Sequence, residues 1–197
     1  MSKMIMYFEK QDMRTKEVSE KATVHITLDQ DFKVAKFDVD LDSIPGEFLD
    51  GYEVTATFDA VDFDNNQTFY TDSNGLAMQE RILNHRTYYN FTDAWKDDNH
   101  PNHNQNISEN YYPINSAISM KEVGSDRQFT VLNDRSQGGS SLKSGRIELM
   151  QHRRVPADDN KGVAEFLNER DEDGNGIRVP ASYYVQLTSL HDAASAQ

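Results

Sequence analysis

The side chains that could do chemistry gather in a few short stretches of the chain. One is His100-Pro101-Asn102-His103, with His85 some way before it. Two imidazoles three residues apart can share a cation. However, Pro101 argues against the helix that would fix their geometry, and no third ligand stands at a dependable spacing, so the stretch reads as solvated surface. Another is Asp171-Glu172-Asp173-Gly174-Asn175-Gly176, which repeats the opening of a calcium loop, where oxygen ligands at alternate positions wrap a hard cation. The twelfth position of such a loop should be a bidentate glutamate and the eighth an apolar residue; here they are Ser182 and Arg178, and the stretch reads as an acidic turn without an ion.

Two further stretches concern anions and acid–base work. Gln137-Gly138-Gly139-Ser140-Ser141 lacks the lysine of a phosphate-cradling loop and follows no strand-to-helix pattern. Its adjacent glycines permit positive φ and close backbone approach, which suits a tight connection between strands. His152-Arg153-Arg154 follows an expected strand at Arg146–Met150, and Asp158-Asp159 comes after Pro156. Two arginines beside two aspartates read as an ion-paired corner. Neighbouring carboxylates on an extended chain point to opposite faces, whereas a pair that cleaves a glycosidic bond must face each other, about 5 Å apart or roughly 6.5–9.5 Å apart. The chain has no cysteine, so disulfides, thiolate metal sites and cysteine nucleophiles are excluded.

The elements that must position these groups follow a period of two. Val24, Ile26 and Leu28 share one face while Thr23, His25 and Thr27 share the other. Phe37, Val39 and Leu41 alternate with Asp38 and Asp40, and Val54, Ala56 and Phe58 alternate with Thr55, Thr57 and Asp59. Val61 and Phe63 carry the apolar face on at odd positions, as a β-bulge near Ala60 would. Phe129 with Val131, Ile147 with Leu149, and Tyr183 with Val185 and Leu187 mark further strands between Gly, Pro, Asn and Asp clusters. Only Lys161–Glu169, with Val163, Phe166 and Leu167 at helical spacing, suggests a short helix. The expected fold is all-β, an antiparallel β-sandwich with at most one short helix. The sandwich is expected over residues 22–190. Residues 1–21 are left without a defined element, residues 84–110 form a long Asn-, Asp- and His-rich excursion holding Trp95, and residues 191–197 are a tail.

At 197 residues with 37% hydrophobic side chains the chain can bury one core, and a formal charge of −13 makes nucleic acid or an anionic membrane surface an unsuitable partner. Neutral ligands such as sugars remain open. The apolar patch in Met1–Glu9 is too brief for the core of an export signal, and no run reaches membrane-span length. Asn-x-Ser/Thr triplets begin at Asn66, Asn90 and Asn106 and permit a secretory route without requiring one.

Several strings are more specific. Phe69-Tyr70-Thr71-Asp72-Ser73-Asn74-Gly75, then Asn110-Tyr111-Tyr112-Pro113-Ile114-Asn115, then Thr130 to Leu142, resemble the C-terminal half of the lysosomal-type α-mannosidases of glycoside hydrolase family 38. Glu148-Leu149-Met150-Gln151-His152-Arg153-Arg154, with Asp158-Asp159 and Gly162-Val163, matches in the same order. The resemblance spans Lys36 to Leu187; residues 84–110 look longer than their family counterpart, and Glu169–Pro180 fits poorly.

The resemblance implies a sandwich of the galactose mutarotase-like supersandwich kind. It further implies an enzyme that removes terminal α-linked mannose from glycans with retention, working in the lysosome or secretory pathway. The family's aspartate nucleophile and its zinc, held by His and Asp, belong to an N-terminal catalytic domain, which would be this chain's partner. No residue here matches those motifs, so no catalytic residue and no metal ligand is expected in this chain, and the isolated chain should be inactive. Substrate contact is expected from the arginine pair, on Arg153 ahead of Arg154, because adjacent strand residues face opposite ways. A homo-oligomer is left open. The alternative is a free-standing sugar-binding or interaction module, with Trp95, Tyr88 and Tyr89 as stacking faces. An independent hydrolase built on Asp158 and Asp159 is the third reading.

Overall fold

The computed structural model describes residues 2–11, 18–29, 33–44, 52–86, 107–155, 157–158, 160–162 and 167–190. Two compact units are formed, one from Met1–Ala56 with Met150–Val185, the other from Thr57–Leu149 with Gln186–Gln197. The architecture is all-β, with antiparallel sheets arranged as a sandwich, and the only helical turn among the described residues that forms an element is a 3₁₀ turn at Ser108–Asn110.

In the first unit β1 (Ser2–Gln11), β2 (Val18–Asp29) and β3 (Val34–Leu41) run antiparallel in sequence order. The register between β1 and β2 shifts between Phe8 and Glu9. Part of β12 (Ala181–Ser189) pairs on the far side of β3, with Tyr183 opposite Phe37 and Ala181 opposite Val39. The alternation read at residues 24–28 and 37–41 therefore becomes a pair of neighbouring strands. Residues 2–11, to which the sequence assigned no element, form a strand because β2 offers an antiparallel partner along its length. The expected N-terminal boundary at residue 22 falls inside β2.

The second unit is a small sandwich in its own right. β5 (Thr68–Ser73) and β6 (Ala77–Ile82) form a hairpin through Asn74 and Gly75, both with positive φ, and β8 (Ala117–Lys121) joins β5 to β9 (Arg127–Asn133). Against them lie β7 (Tyr112–Ile114), β10 (Gln137–Ser140) and the start of β11 (Arg146–Arg154). Alternate residues point inward, as a half-buried pleat requires. Phe69, Ile114, Ile118, Met120, Val131, Ile147 and Leu149 have no exposed surface, and the rings of Phe69 and Tyr112 meet edge-on at 5.8 Å.

Two expectations are corrected. The apolar pattern does not continue through a bulge at Ala60: β4 (Tyr52–Asp59) ends, and the chain turns at Val61 and Asp62. Phe63 still reaches the core, but Val61 is 81% exposed. The reason is Gly145, whose backbone carbonyl accepts the Ala60 N–H at 2.8 Å and draws the chain into a loop. Nor do Gly138 and Gly139 make a turn; they lie in β10, outside the positive-φ region. Their smallness serves packing instead, since a Cβ on Gly139 would stand 2.6 Å from Ile114 Cγ1.

The excursion at 84–110 is pinched at its ends. The backbone N–H of Asn84 donates to Asn110 Oδ1 at 2.8 Å, and Asn110 Nδ2 donates to Asn84 Oδ1 at 2.8 Å. A reciprocal amide pair of this kind closes the neck of a long loop whatever its interior does. Trp95, Tyr88, Tyr89, His100 and His103 lie outside the described residues, as do the sequons at Asn90 and Asn106. The helix expected over Lys161–Glu169 falls partly outside them too, and its described flanks are bends and irregular chain.

Candidate functional site

The arginine pair closes β11, and the strand's period of two decides which way each side chain turns. Ile147, Leu149 and Gln151 form its buried row, and Arg153 ends that row where burial gives out; Arg154, half-buried, belongs to the opposite face. Gln151 anchors this end of the strand in the first unit. Its Nε2 donates to the carbonyls of Val179 at 2.9 Å and Val39 at 3.4 Å. A ring nitrogen of His152 lies 3.2 Å from the carbonyl of Ile177. The backbone leading to Arg153 is thus held from both sides.

Arg153 itself is lightly held. Its Nε lies 3.3 Å from Glu53 Oε1, with 53% and 50% of the two side chains exposed. An exposed pair of that length contributes about 0–1 kcal/mol. The acidic partner of Arg153 is thus Glu53; Asp158 accepts the backbone N–H of Asn160, and Asp159 lies outside the described residues. A guanidinium has five donors in a planar fork, so an Arg153 engaged through Nε keeps donors for a second acceptor such as a sugar hydroxyl.

Six carboxylates are arranged to stay ionised. Burial pushes Asp38 up, but the Lys36 ammonium and the Ser182 hydroxyl bring it below its ordinary value. Arg146 does the same for Asp59, and Arg127 for Glu122. Backbone N–H groups hold down Asp64, through Asn66, and Asp171, through Asn175. Burial raises Asp72, yet the N–H groups of Ser116, Gly75, Ala117 and Asn115 outweigh it. A general acid needs the reverse, a carboxyl whose pKa is raised toward neutrality. These six are unsuited to that role.

The second unit has a cavity of about 630 Å³ between the 59–64 and 143–146 segments, rimmed by Asp59, Asp62, Asp64, Glu122 and Lys143. Three of its four acids are tied to neighbours: Asp59 to Arg146 at 2.7 Å, Asp64 to the Ser144 hydroxyl at 2.8 Å, and Glu122 to Arg127. No two of them are left to face each other across a substrate. In the Asp171 loop the carboxylate accepts the N–H groups of Asp173 at 3.0 Å and Asn175 at 2.8 Å, so the turn closes on its own backbone. Among the described residues no group of three or more His, Asp or Glu side chains is placed to hold a metal ion. No described helix is long and apolar enough to cross a membrane.

Sequence reading missed the polar nodes that join separate strings. Asp72 and Asn115, from separate strings, meet where Asp72 Oδ1 accepts the Asn115 N–H at 2.8 Å. Asn133, in a third, donates to the Ile114 carbonyl at 3.1 Å. Asn65, 1% exposed, accepts the Gly145 N–H at 2.9 Å and donates to the Thr68 carbonyl at 2.7 Å. Short polar residues flanking strands were the available signal.

Comparison with known proteins places the chain in a family. Residues 10–161 match the family described as the Glycosyl hydrolases family 38 C-terminal domain. The match begins well before Lys36, where the resemblance was first legible, and takes in β2. The chain is 41% identical over 145 residues to the lysosomal alpha-mannosidases of Felis catus and of Bos taurus, a stretch covering 74% of this chain and 13% of each relative. It is 40% identical over 145 residues to the lysosomal alpha-mannosidase of Homo sapiens, again 74% of this chain and 13% of the relative. To an alpha-mannosidase of Arabidopsis thaliana it is 41% identical over 132 residues, 66% of this chain and 12% of the relative. The matched stretch thus spans about an eighth of the length of these curated relatives.

Proposed function

Since the chain belongs to the C-terminal domain family of the family 38 glycosyl hydrolases, we propose that it is the β-sandwich portion of an α-mannosidase that removes terminal α-linked mannose from glycans with retention. The observation that carries this reading is the identity of about two residues in five with alpha-mannosidases over 74% of the chain. It is supported by the antiparallel fold.

In this reading the chain braces a catalytic domain that precedes it in the whole polypeptide. That domain would supply the aspartate nucleophile and the zinc that binds sugar hydroxyls. Arg153 contributes from the β side: it is fixed by the Gln151 anchor, weakly engaged by Glu53, and able to donate to a mannose hydroxyl. Arg154, on the other face, is the second choice. The enzyme works in the lysosome or the secretory pathway, as the names of the mammalian relatives suggest.

The test is hydrolysis of a chromogenic α-mannoside with zinc present, together with calorimetric titration of mannose oligosaccharides. The purified chain should show no turnover and no saturable binding. Turnover would refute the division of labour, and saturable binding would favour a free-standing sugar-binding module.

A further inference from the structure

We propose that Asn66 is an N-glycosylated residue, its glycan standing on the turn that opens β5. The inference rests on the lumenal location argued above, and it goes beyond it by naming the one described sequon and the state of its side chain.

Asn66-Gln67-Thr68 has the acceptor spacing, in which a hydroxyl two residues on assists the asparagine amide. A sequon alone decides little; its place in the fold decides more. The Thr68 N–H donates to the Asn65 carbonyl at 2.8 Å, closing a turn whose two central residues are Asn66 (φ 45°) and Gln67 (φ 59°). Two left-handed central residues are the pattern of a type I′ turn. Asparagine tolerates that conformation better than most residues.

The two neighbouring asparagines have opposite fates. Asn65 is 1% exposed, and both ends of its amide are committed, to the Thr68 carbonyl and to the Gly145 N–H. Asn66 is exposed, and the hydrogen bonds at this residue come from its backbone: its N–H donates to Asp64 Oδ1 at 2.9 Å and its carbonyl accepts the Thr68 hydroxyl at 3.3 Å. Its side-chain amide holds nothing in the fold. A glycan there breaks no contact and enters open solvent, so the folded state accommodates it without loss.

The chemistry balances with an activated donor, a lipid-pyrophosphate-linked oligosaccharide. The side-chain amide nitrogen of Asn66 bonds to the anomeric carbon, and the bond from that carbon to the pyrophosphate oxygen breaks. The lipid pyrophosphate leaves with the electron pair, and the amide gives up one proton.

The experiment is expression of the full chain in eukaryotic cells behind an added export leader. The recovered protein is then digested with an N-glycan amidase in heavy-oxygen water, which converts each glycosylated Asn to labelled Asp. Peptide mass spectrometry should find the label at Asn66 and none at Asn65. Asn66→Gln and Thr68→Ala should each lose one glycan in mass, with the Asn66→Gln chain recovered at wild-type yield. An unlabelled Asn66 in protein recovered from the lumen would overturn the proposal. Because the leader imposes entry, that failure is distinct from failure of the lumenal reading. The latter would show as native full-length protein found in the cytosol while Asn66 of the leader-borne chain is labelled.

Discussion

Replacing Asp72 by asparagine should destabilise the second unit in a way that depends on pH. The carboxylate is 5% exposed, and its Oδ1 accepts the N–H groups of Asn115 at 2.8 Å, Ser116 at 3.0 Å and Ala117 at 3.2 Å, while Oδ2 accepts that of Gly75 at 2.8 Å. One side chain thereby ties the β5–β6 turn to the start of β8. In Asp72→Asn the remaining oxygen can keep one set of donors, but the new NH₂ faces the other. One buried donor left without an acceptor costs about 1–3 kcal/mol, and the retained bonds lose the roughly twofold strength that charge gave them. The expected loss at neutral pH is about 2–4 kcal/mol. At about 2–4 °C per kcal/mol for a chain of this size, the melting temperature should fall by roughly 5–15 °C. The folded pKa of Asp72 is depressed. Its contribution is therefore fully present above the unfolded value near 3.9 and lost as pH falls through the folded value. Urea unfolding followed by circular dichroism, at neutral pH and again at about pH 3 or below, should show the gap between wild type and variant narrowing in acid. A variant within about 0.5 kcal/mol of wild type at neutral pH would refute the reasoning, because that is the range of an ordinary surface change. So would a gap that ignores pH.

Three further substitutions test other parts of the account. Gly145→Ala places a Cβ 2.7 Å from the Phe63 carbonyl oxygen at φ 75°; with about 1–2 kcal/mol for the left-handed backbone alone, the urea midpoint should drop clearly, and an unchanged midpoint would count against the close approach. Gly139→Ala pushes a Cβ to 2.6 Å from Ile114 Cγ1; overpacking of this kind costs about 1–3 kcal/mol, and the cost should shrink in an Ile114→Ala background if the two sites are coupled. Arg153→Gln should leave the chain's melting temperature nearly unchanged, because the Glu53 pair contributes at most about 1 kcal/mol. The same change should lower kcat/KM of the full-length enzyme on an α-mannoside about tenfold, the equivalent of one lost charged hydrogen bond. Arg154→Gln should do less, and the reverse order would move the substrate contact to the other face.

The strands were legible because one face of each is buried and the other wet, and a period of two survives in the residues themselves. Val24, Ile26 and Leu28 pair with Phe37 and its neighbours as their alternation requires. What was not legible depends on partners far apart in the chain. Nothing near Ala60 announces that Gly145, 85 positions away, will accept its N–H and end the strand. Nothing near Gly139 announces that Ile114 will need the room, so a pair of glycines suited to a turn lies in a strand. The arginine pair was found through its place in a family-like string, and the strand period then assigned the two faces. Glu53, the partner of Arg153, sits 100 residues earlier on β4 and carried no signal of its own. The ends of the long excursion were marked by asparagines at both limits, but only the fold shows them bonded to each other.

The most direct measurement compares initial rates on a chromogenic α-mannoside, with zinc supplied, for this chain alone and for the polypeptide in which it continues a family 38 catalytic region. The account predicts turnover by the longer polypeptide and none by the chain alone. Hydrolysis by the chain alone, removed by substituting Asp158 and Asp159, would contradict it and relocate the bond-breaking groups to this domain.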